Sequence, residues 1–149
     1  MSKFTIFKTI ALGRIIAIDY GAKRVGIAVT DTLKMIASAL TTVDNADLWD
    51  FIVNYLAKEE VDIVVLGLPL RLNNELSEIE PRIQKLIRKL KHEYPHLKIE
   101  RQDERFTSKL AVKAMIEGGM KKKQRQIKGN IDKLSATLIL QDFLERSHY

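Results

Sequence analysis

The chain has no cysteine among its 149 residues. It can therefore form neither a disulfide nor a thiolate metal site, and cysteine nucleophiles are excluded. It also has no apolar run near the roughly 20 residues that span a bilayer. The first twelve residues lack the sustained apolar core and the small-residue cleavage pattern of a signal peptide, so we expect a cytoplasmic protein.

Positive charge is in excess and is concentrated in one segment. The formal net charge is +6, which favours an anionic partner, most commonly nucleic acid. A hydrophobic content of 46% and this length are those of one globular domain. The segment 121–128 has few apolar residues to bury, and we interpret it as a basic loop that binds nucleic acid, with a solvated charge run as the alternative. Its cations are Lys121, Lys122, Lys123, Arg125 and Lys128.

The first part of the chain predicts an antiparallel meander. Apolar runs at 14–20 and 25–30 are separated by a short glycine-containing connection, which is typical of a hairpin. Residues 35–43 supply a third strand. Asp44 and Asn45 then precede a helical pattern and are N-cap candidates.

The second part of the chain alternates helices and strands. Apolar residues repeat at helical spacing over 48–56 and 79–90, and strands are expected at 61–66 and 97–102. Ser77 and Glu80 have the spacing of a capping box. Strands separated by helices must be parallel with right-handed crossovers. The prediction is an α/β fold, in which three antiparallel strands and later parallel crossovers form a mixed five-stranded sheet flanked by helices.

Acidic residues fall where the carboxyl ends of strands should meet, which is where such sheets place their crevice. Asp19 closes the first strand, beside the cations Lys23 and Arg24, and either Asp103 or Glu104 closes the last. Asp103 and Glu104 are adjacent, so in an extended chain only one of them faces the site.

Asn130 is expected to cap a final helix that runs to about Leu144 and carries Asp132 in its first turn. At 100° per residue Asp132 shares one stripe with Ala136, Ile139 and Phe143, which should face the sheet. We therefore expect Asp132 to point toward the strand ends. An acid that merely complements the helix dipole is the alternative.

Three converging carboxylates repel one another unless divalent cations neutralise them, and oxygen ligands favour Mg²⁺ or Mn²⁺. Two such ions about 4 Å apart can activate a water and stabilise the leaving oxygen of a phosphodiester. The three histidines lie near a helix end, in a loop and near the C-terminus, so we expect them to be solvated. Gly67-Leu68-Pro69 lacks the glycine spacing of a dinucleotide site or a P-loop.

Four motifs together resemble the bacterial pre-16S rRNA nuclease family, whose members are also called Holliday junction resolvases. They are residues 19–31 (Asp-Tyr-Gly-Ala-Lys-Arg-Val-Gly-Ile-Ala-Val-Thr-Asp), Gly67-Leu68-Pro69, residues 103–108 (Asp-Glu-Arg-Phe-Thr-Ser) and residues 132–141 (Asp-Lys-Leu-Ser-Ala-Thr-Leu-Ile-Leu-Gln). The resemblance covers residues 13–146 in the right order. It implies one RNase H-like nuclease domain over 13–149, with residues 1–12 as an extension or an upstream start.

The resemblance also implies the chemistry. Asp19, Glu104 and Asp132 would be the catalytic and metal-binding acids, with Asp103 as the alternate to Glu104. Lys23, Arg24 and Arg105 would contact phosphate. The implied role is processing the 5′ end of pre-16S rRNA in the cytoplasm, with structured RNA, and the ribosome or its precursor, as partners.

Several alternatives stay open. A DNA endonuclease that cleaves branched junctions would use the same chemistry and would favour a homodimer over a monomer, and the sequence does not settle the oligomeric state. A nucleic-acid-binding module without catalysis would use the basic loop equally well. A sugar kinase or actin-like ATPase normally needs two lobes that close on the nucleotide, and this chain has one.

Overall fold

A single mixed sheet of five strands organises the computed structural model, which describes residues 13–69, 77–103 and 128–147, with side chains of the last helix described over 134–146. The strand order is β3-β2-β1-β4-β5, so β1 is central and β3 and β5 are the edges. The fold class predicted from sequence is confirmed. The strands are β1 Arg14–Asp19, β2 Arg24–Thr30, β3 Ala37–Asp44, β4 Val61–Leu68 and β5 Lys98–Asp103.

Three α-helices accompany the sheet in the described part of the chain. A 3₁₀ turn at Asn45–Asp47 leads into α1, Leu48–Lys58; α2 is Glu80–Glu93, and α3 is Lys128–Ser147. The last helix thus already includes Lys128 and Gly129, ahead of the predicted N-cap Asn130, and Asp132 is the fifth residue of its described part rather than a residue of its first turn. Lys128 and Gly129 carry no N-cap signal, so sequence reasoning stopped at the first residue that does, Asn130.

Strand pairing follows the lengths of the connections. β1 pairs with β2 in antiparallel orientation, and a short turn joins them. β4 pairs in parallel orientation with both β1 and β5, and the connections between these strands contain helices. Ile18 is paired with Leu66, and Leu66 is paired with Arg101. The carboxyl ends of β1, β4 and β5 therefore lie together at one end of the sheet, which is the edge that the strand ends form and not the edge formed by β3 or β5.

Alternation along the strands divides the core into two layers. Ile16 and Ile18 of β1 pack with buried residues of α1 and α2, whereas Ile15 and Ala17 pack with α3. Because successive side chains of a strand point to opposite faces, Asp19 belongs to the α3 face. Tyr20 packs against the α1–α2 layer.

The inner stripe predicted for the last helix is confirmed where side chains are described. Ala136 and Ile139 are 0% exposed and Phe143 is 2% exposed, and all three pack on the α3 face of the sheet. Arg146 donates from Nη2 to the Arg101 carbonyl over 3.3 Å, so the C-terminal end of α3 reaches β5.

The connection from β2 to β3 is built around Asp31. Its carboxylate accepts hydrogen bonds from the backbone N–H groups of Leu33, Met35 and Ile36 over 2.8–3.1 Å. These bonds, with that of Ile36 the largest contribution, hold the pKa of Asp31 below its ordinary value. The side chains of Leu33, Met35 and Ile36 remain mostly exposed. Beyond this connection, the register between β2 and β3 shifts between Ile27 and Ala28.

Candidate active site

Asp19 stands half-buried at the carboxyl end of the central strand. It lies one residue beyond the Ile18–Leu66 pair, and Gln102 lies one residue beyond the Leu66–Arg101 pair. Gly67 is paired with Gln102 and sits between the two, so no side chain separates them on this face. Asp19 and Gln102 are separated by two strand spacings, so their Cα atoms lie about 10 Å apart.

The end of β5 distributes its side chains between the two faces of the sheet. Ile99 packs against the α1–α2 layer, and Arg101 reaches Glu80 on α2. Because side chains alternate between the two faces along a strand, Gln102 lies on the α3 face with Asp19. The exposed Asp103 lies on the opposite face, with α1 and α2.

Gln102 is a polar residue of this face that sequence reasoning missed. Its Oε1 atom is buried and has no hydrogen-bond partner among the described residues. Buried polar atoms are nearly always satisfied, often by bound water or an ion. An amide oxygen and a carboxylate on one face are donors that suit a hard cation. No sequence signal distinguishes this glutamine from an ordinary strand residue.

The start of α2 is fixed to the strand ends by a buried ion pair. Arg101 donates to both carboxylate oxygens of Glu80, at 2.9 Å to Oε2 and 2.6 Å to Oε1. It also donates to the carbonyls of Leu66 and Gly67, at 3.3 and 2.9 Å. The Arg101 guanidinium is the main reason that the pKa of Glu80 lies below its ordinary value.

The predicted capping box at the start of α2 is therefore wrong. The Glu80 carboxylate is engaged by Arg101 instead of reaching back to Ser77, because a charged guanidinium that donates two hydrogen bonds is the stronger partner. Ser77 Oγ accepts the Ile79 backbone N–H at 3.3 Å, so only the serine half of the motif acts locally.

The turn between β1 and β2, which carries Lys23 and Arg24, is held by Asn45. Asn45 donates from Nδ2 to the Gly21 carbonyl and from its backbone N–H to the Lys23 carbonyl, both at 2.8 Å. Arg82 of α2 donates in turn to Asn45 Oδ1 at 3.2 Å. These bonds fix the backbone of the turn at Gly21 and Lys23, directly before Arg24.

This role of Asn45 differs from the predicted one. Asp44 occupies the N-cap of the 3₁₀ turn but makes no side-chain capping hydrogen bond, and the Asn45 side chain serves the β1–β2 turn instead. Gly21 in that turn has no room for a side chain, since a Cβ atom there would lie 2.3 Å from the Arg24 carbonyl oxygen.

Most of the predicted site lies outside the described residues. Glu104, Arg105, Lys121, Lys122, Lys123 and Arg125 are outside them, and Asp132 and Lys128 lie in α3 where side chains are not described. Among the side chains that are described, no three His, Cys, Asp or Glu residues are grouped to hold a metal. Of the predicted metal ligands, Asp19 and the alternate Asp103 have described side chains, and of these two only Asp19 lies on the α3 face. His92 and His96 are exposed, as expected, and His148 is outside the described residues.

A three-stranded meander that continues into parallel crossovers, with an aspartate closing the central strand, defines an RNase H-like α/β domain. None of its described helices is long and apolar enough to cross a membrane.

Comparison with known proteins gives the family. Residues 13–146 match the family described as "RuvX: Holliday junction resolvase". A protein of Bacteroides thetaiotaomicron named "Putative pre-16S rRNA nuclease" is 51% identical over 138 residues, which are 93% of this chain and 100% of that protein. Proteins of the same name from Bacteroides fragilis and Christiangramia forsetii are 52% and 49% identical, over 90% and 89% of this chain and 97% and 98% of theirs. The chain belongs to this RuvX family of nucleases, which are hydrolases of phosphodiester bonds. Residues 1–12 precede the match, and their assignment as an extension stays a prediction.

Proposed function

We propose that this protein is a metal-dependent nuclease that processes the 5′ end of pre-16S rRNA in the cytoplasm. The observation that carries the proposal is the position of Asp19 at the carboxyl end of the central strand, on the α3 face and at the same edge as the end of β5. Relatives that match over nearly their whole length carry the name of that activity.

Glu104 is the β5 acid that we assign to the site. Alternation puts Asp103 on the α2 face, away from Asp19. That leaves Glu104 as the acid of this pair that would serve the site together with Asp19. Glu104 is also the acid that the family resemblance implies.

Asp132 is the third acid that we assign. It precedes Ala136 by one helical turn, and Ala136 is fully buried on the inner stripe of α3. The helix dipole acts mainly within the first turn of a helix. Because Asp132 is the fifth residue of α3, the dipole explains its position less well than a role in the site does.

Asp19, Glu104 and Asp132 would hold Mg²⁺ or Mn²⁺, since their donors are all carboxylate oxygens. When bound, such an ion lowers the pKa of water and neutralises charge on the transferring phosphate. Gln102 Oε1, buried on the same face, fits a second polar contact to the ion or to one of its waters.

The remaining residues would bind and orient the substrate. Lys23 and Arg24, held by the Asn45 bonds to the β1–β2 turn, lie where they can neutralise the phosphate next to Asp19. Arg105 follows Glu104 and would contact the same phosphate. The cations of segment 121–128 would bind the backbone of structured RNA farther away, without reading its sequence.

The test is cleavage of a precursor rRNA fragment and of a four-way DNA junction, with and without Mg²⁺. We expect Asp19→Asn and Asp132→Asn each to lower RNA cleavage more than about a hundredfold, beyond what changes around a metal's ligands cost. Asp50→Asn is the matched control, because Asp50 is exposed in the first turn of α1 and belongs to neither the site nor the β1–β2 turn. Undiminished cleavage by Asp19→Asn would overturn the metal assignment.

A preference for the DNA junction would instead show that the substrate is branched DNA. A junction enzyme must cut two strands symmetrically and would then be a homodimer, which the mass of the protein in solution would reveal. No cleavage of either substrate by the wild type would favour a binding module without catalysis.

A further inference from the structure

A groove with aromatic walls and a cationic rim runs between α1 and α2. We call it the α1–α2 groove and define it by Tyr20, Trp49, Arg82, Lys85 and Lys89. Its floor is apolar, formed by buried Leu48 and Leu86, and its volume is about 170 Å³. That volume is below the roughly 300–1,000 Å³ of sites for separate small molecules, so the groove suits one group of a larger ligand.

The cations of the groove lie on one flank of α2. Arg82, Lys85 and Lys89 fall within about 60° of one another around the helix axis and are all exposed. In the described part of the chain, no carboxylate forms an ion pair with any of the three. Their charge is therefore available to an external anion.

Aromatic rings are interleaved with these cations. Lys89 Nζ lies 4.1 Å from the centre of the Trp49 ring, and Arg82 Cζ lies 5.8 Å from the centre of the Tyr20 ring. Tyr94 supports Trp49 from 6.2 Å. Alternating rings and cations are how proteins bind single strands, whose unpaired bases stack while their phosphates contact the cations.

The groove begins at the edge of the sheet that carries the candidate active site, on the face opposite to Asp19. Tyr20 directly follows Asp19, and α1 and α2 both start at the edge where the parallel strands end. From that edge the groove continues along the α1–α2 face of the sheet. A strand with its scissile phosphate at Asp19 would reach the groove by passing around the end of β1 at Tyr20.

We propose that the α1–α2 groove binds a single-stranded segment of the nucleic acid next to the cleaved bond. Arg82, Lys85 and Lys89 contact successive phosphates, and one base stacks on Trp49. Lys89 leaves the half-buried Trp49 ring for a phosphate, because a base stacked on the accessible part of the ring is held more strongly than an exposed cation is. The inference rests on the proposed nuclease function and adds the requirement for an unpaired flank.

Binding to two RNAs tests the inference: a labelled hairpin with a single-stranded uridine tail, and the same hairpin without the tail. Asp19→Asn protein is used so that no RNA is cut, and affinity is measured by fluorescence anisotropy. The test variant adds Lys85→Glu and Lys89→Glu. The charge-matched control adds Lys58→Glu and Lys91→Glu, at exposed positions outside the groove.

We expect the tail to strengthen binding about tenfold, and we expect the groove variant to lose that gain while binding the bare hairpin normally. Substituting alanine at both groove lysines should lower the salt slope for the tailed RNA by about 1.4, at about 0.7 for each phosphate contact. Trp49→Leu, whose folding is checked by circular dichroism, should also reduce the gain from the tail.

Three outcomes would overturn the inference: no gain from the tail, an equal loss on both RNAs in the groove variant, or the same loss in the control. Cleavage by the wild type is scored separately. Absence of cleavage counts against the proposed nuclease function, whereas cleavage without any effect of the groove variant on tail binding counts against the groove alone.

Discussion

Arg101 of β5 and Glu80 of α2 form a two-bonded ion pair, 21 residues apart in the chain, at the edge of the sheet that carries Asp19. Glu80 is only 5% exposed, so its charge depends on this partner. The pair joins the start of a helix to the ends of two parallel strands, and through Arg82 the same helix braces the β1–β2 turn. The scaffold of the candidate site is thus held by polar contacts as well as by apolar packing.

Removing one partner of this pair should destabilise the fold strongly. Arg101→Leu leaves the Glu80 charge buried, and we expect the free energy of unfolding in urea to fall by about 3 kcal/mol. The double variant Glu80→Leu/Arg101→Leu should recover most of that loss, because no unpaired charge remains. Arg88→Leu, at an exposed position of the same helix, is the control and should change little. Additive losses in the double variant would contradict this account.

Acid should weaken the protein through Glu80. Its pKa in the folded state is lowered, first by the hydrogen bond from Arg101, from an ordinary value of 4.5. The stabilisation is therefore present above pH 4.5 and is lost as the pH falls through the lower folded pKa. Unfolding measured from pH 7 downward should show the stability advantage of wild type over Glu80→Gln shrinking below pH 4.5. A constant difference would show that the pair does not titrate in this way.

Asn45 should act as a positioning residue for cleavage. Asn45→Ala removes the bond to the Gly21 carbonyl and the acceptor for Arg82, which loosens the turn that carries Lys23. We expect kcat for RNA cleavage to fall about tenfold to a hundredfold, as small displacements of positioning groups do. Stability should drop by only about 1 kcal/mol.

The matched control for Asn45 is Asn54→Ala, at an exposed position of α1. It should leave both kcat and stability unchanged. A loss of kcat in Asn45→Ala that merely follows the unfolded fraction would mean that the residue serves stability and not positioning.

Asp31 should control the order of the β2–β3 connection. In Asp31→Ala the backbone amides of Leu33, Met35 and Ile36 lose their acceptor, and we expect their hydrogen exchange to speed up while the core strands stay protected. Thr32→Ala, at an exposed position of the same connection, should leave the exchange of these amides unchanged. Unchanged exchange in Asp31→Ala would show that the connection is held by other contacts.

The sheet was predictable because its signals are local. Apolar runs such as 61–66 mark buried strands, and short and long connections decide antiparallel or parallel pairing. The more polar run at 97–102 forms the edge strand β5. The position of Asp19 at a strand end follows from the same pattern. The stripe of Ala136, Ile139 and Phe143 follows from helical geometry alone.

The site features that could not be predicted from the sequence depend on partners that are distant in the chain. Asn45 looks like a helix cap, but its side chain bonds to Gly21, 24 residues away. Glu80 looks like half of a capping box, but Arg101 competes for it with a charged hydrogen bond. Gln102 shows no pattern at all, and its place on the Asp19 face emerges only from the register of three strands.

The shifted register between β2 and β3 at Ile27 and Ala28 has a consequence beyond this domain. An irregularity of this kind sharpens the local twist of a strand. A straight, regular edge strand can pair with a strand of a neighbouring molecule and so promote amyloid-like aggregation, whereas a twisted edge strand pairs less readily. The irregularity therefore makes β3 a poorer template for pairing with a second molecule than a regular edge strand would be.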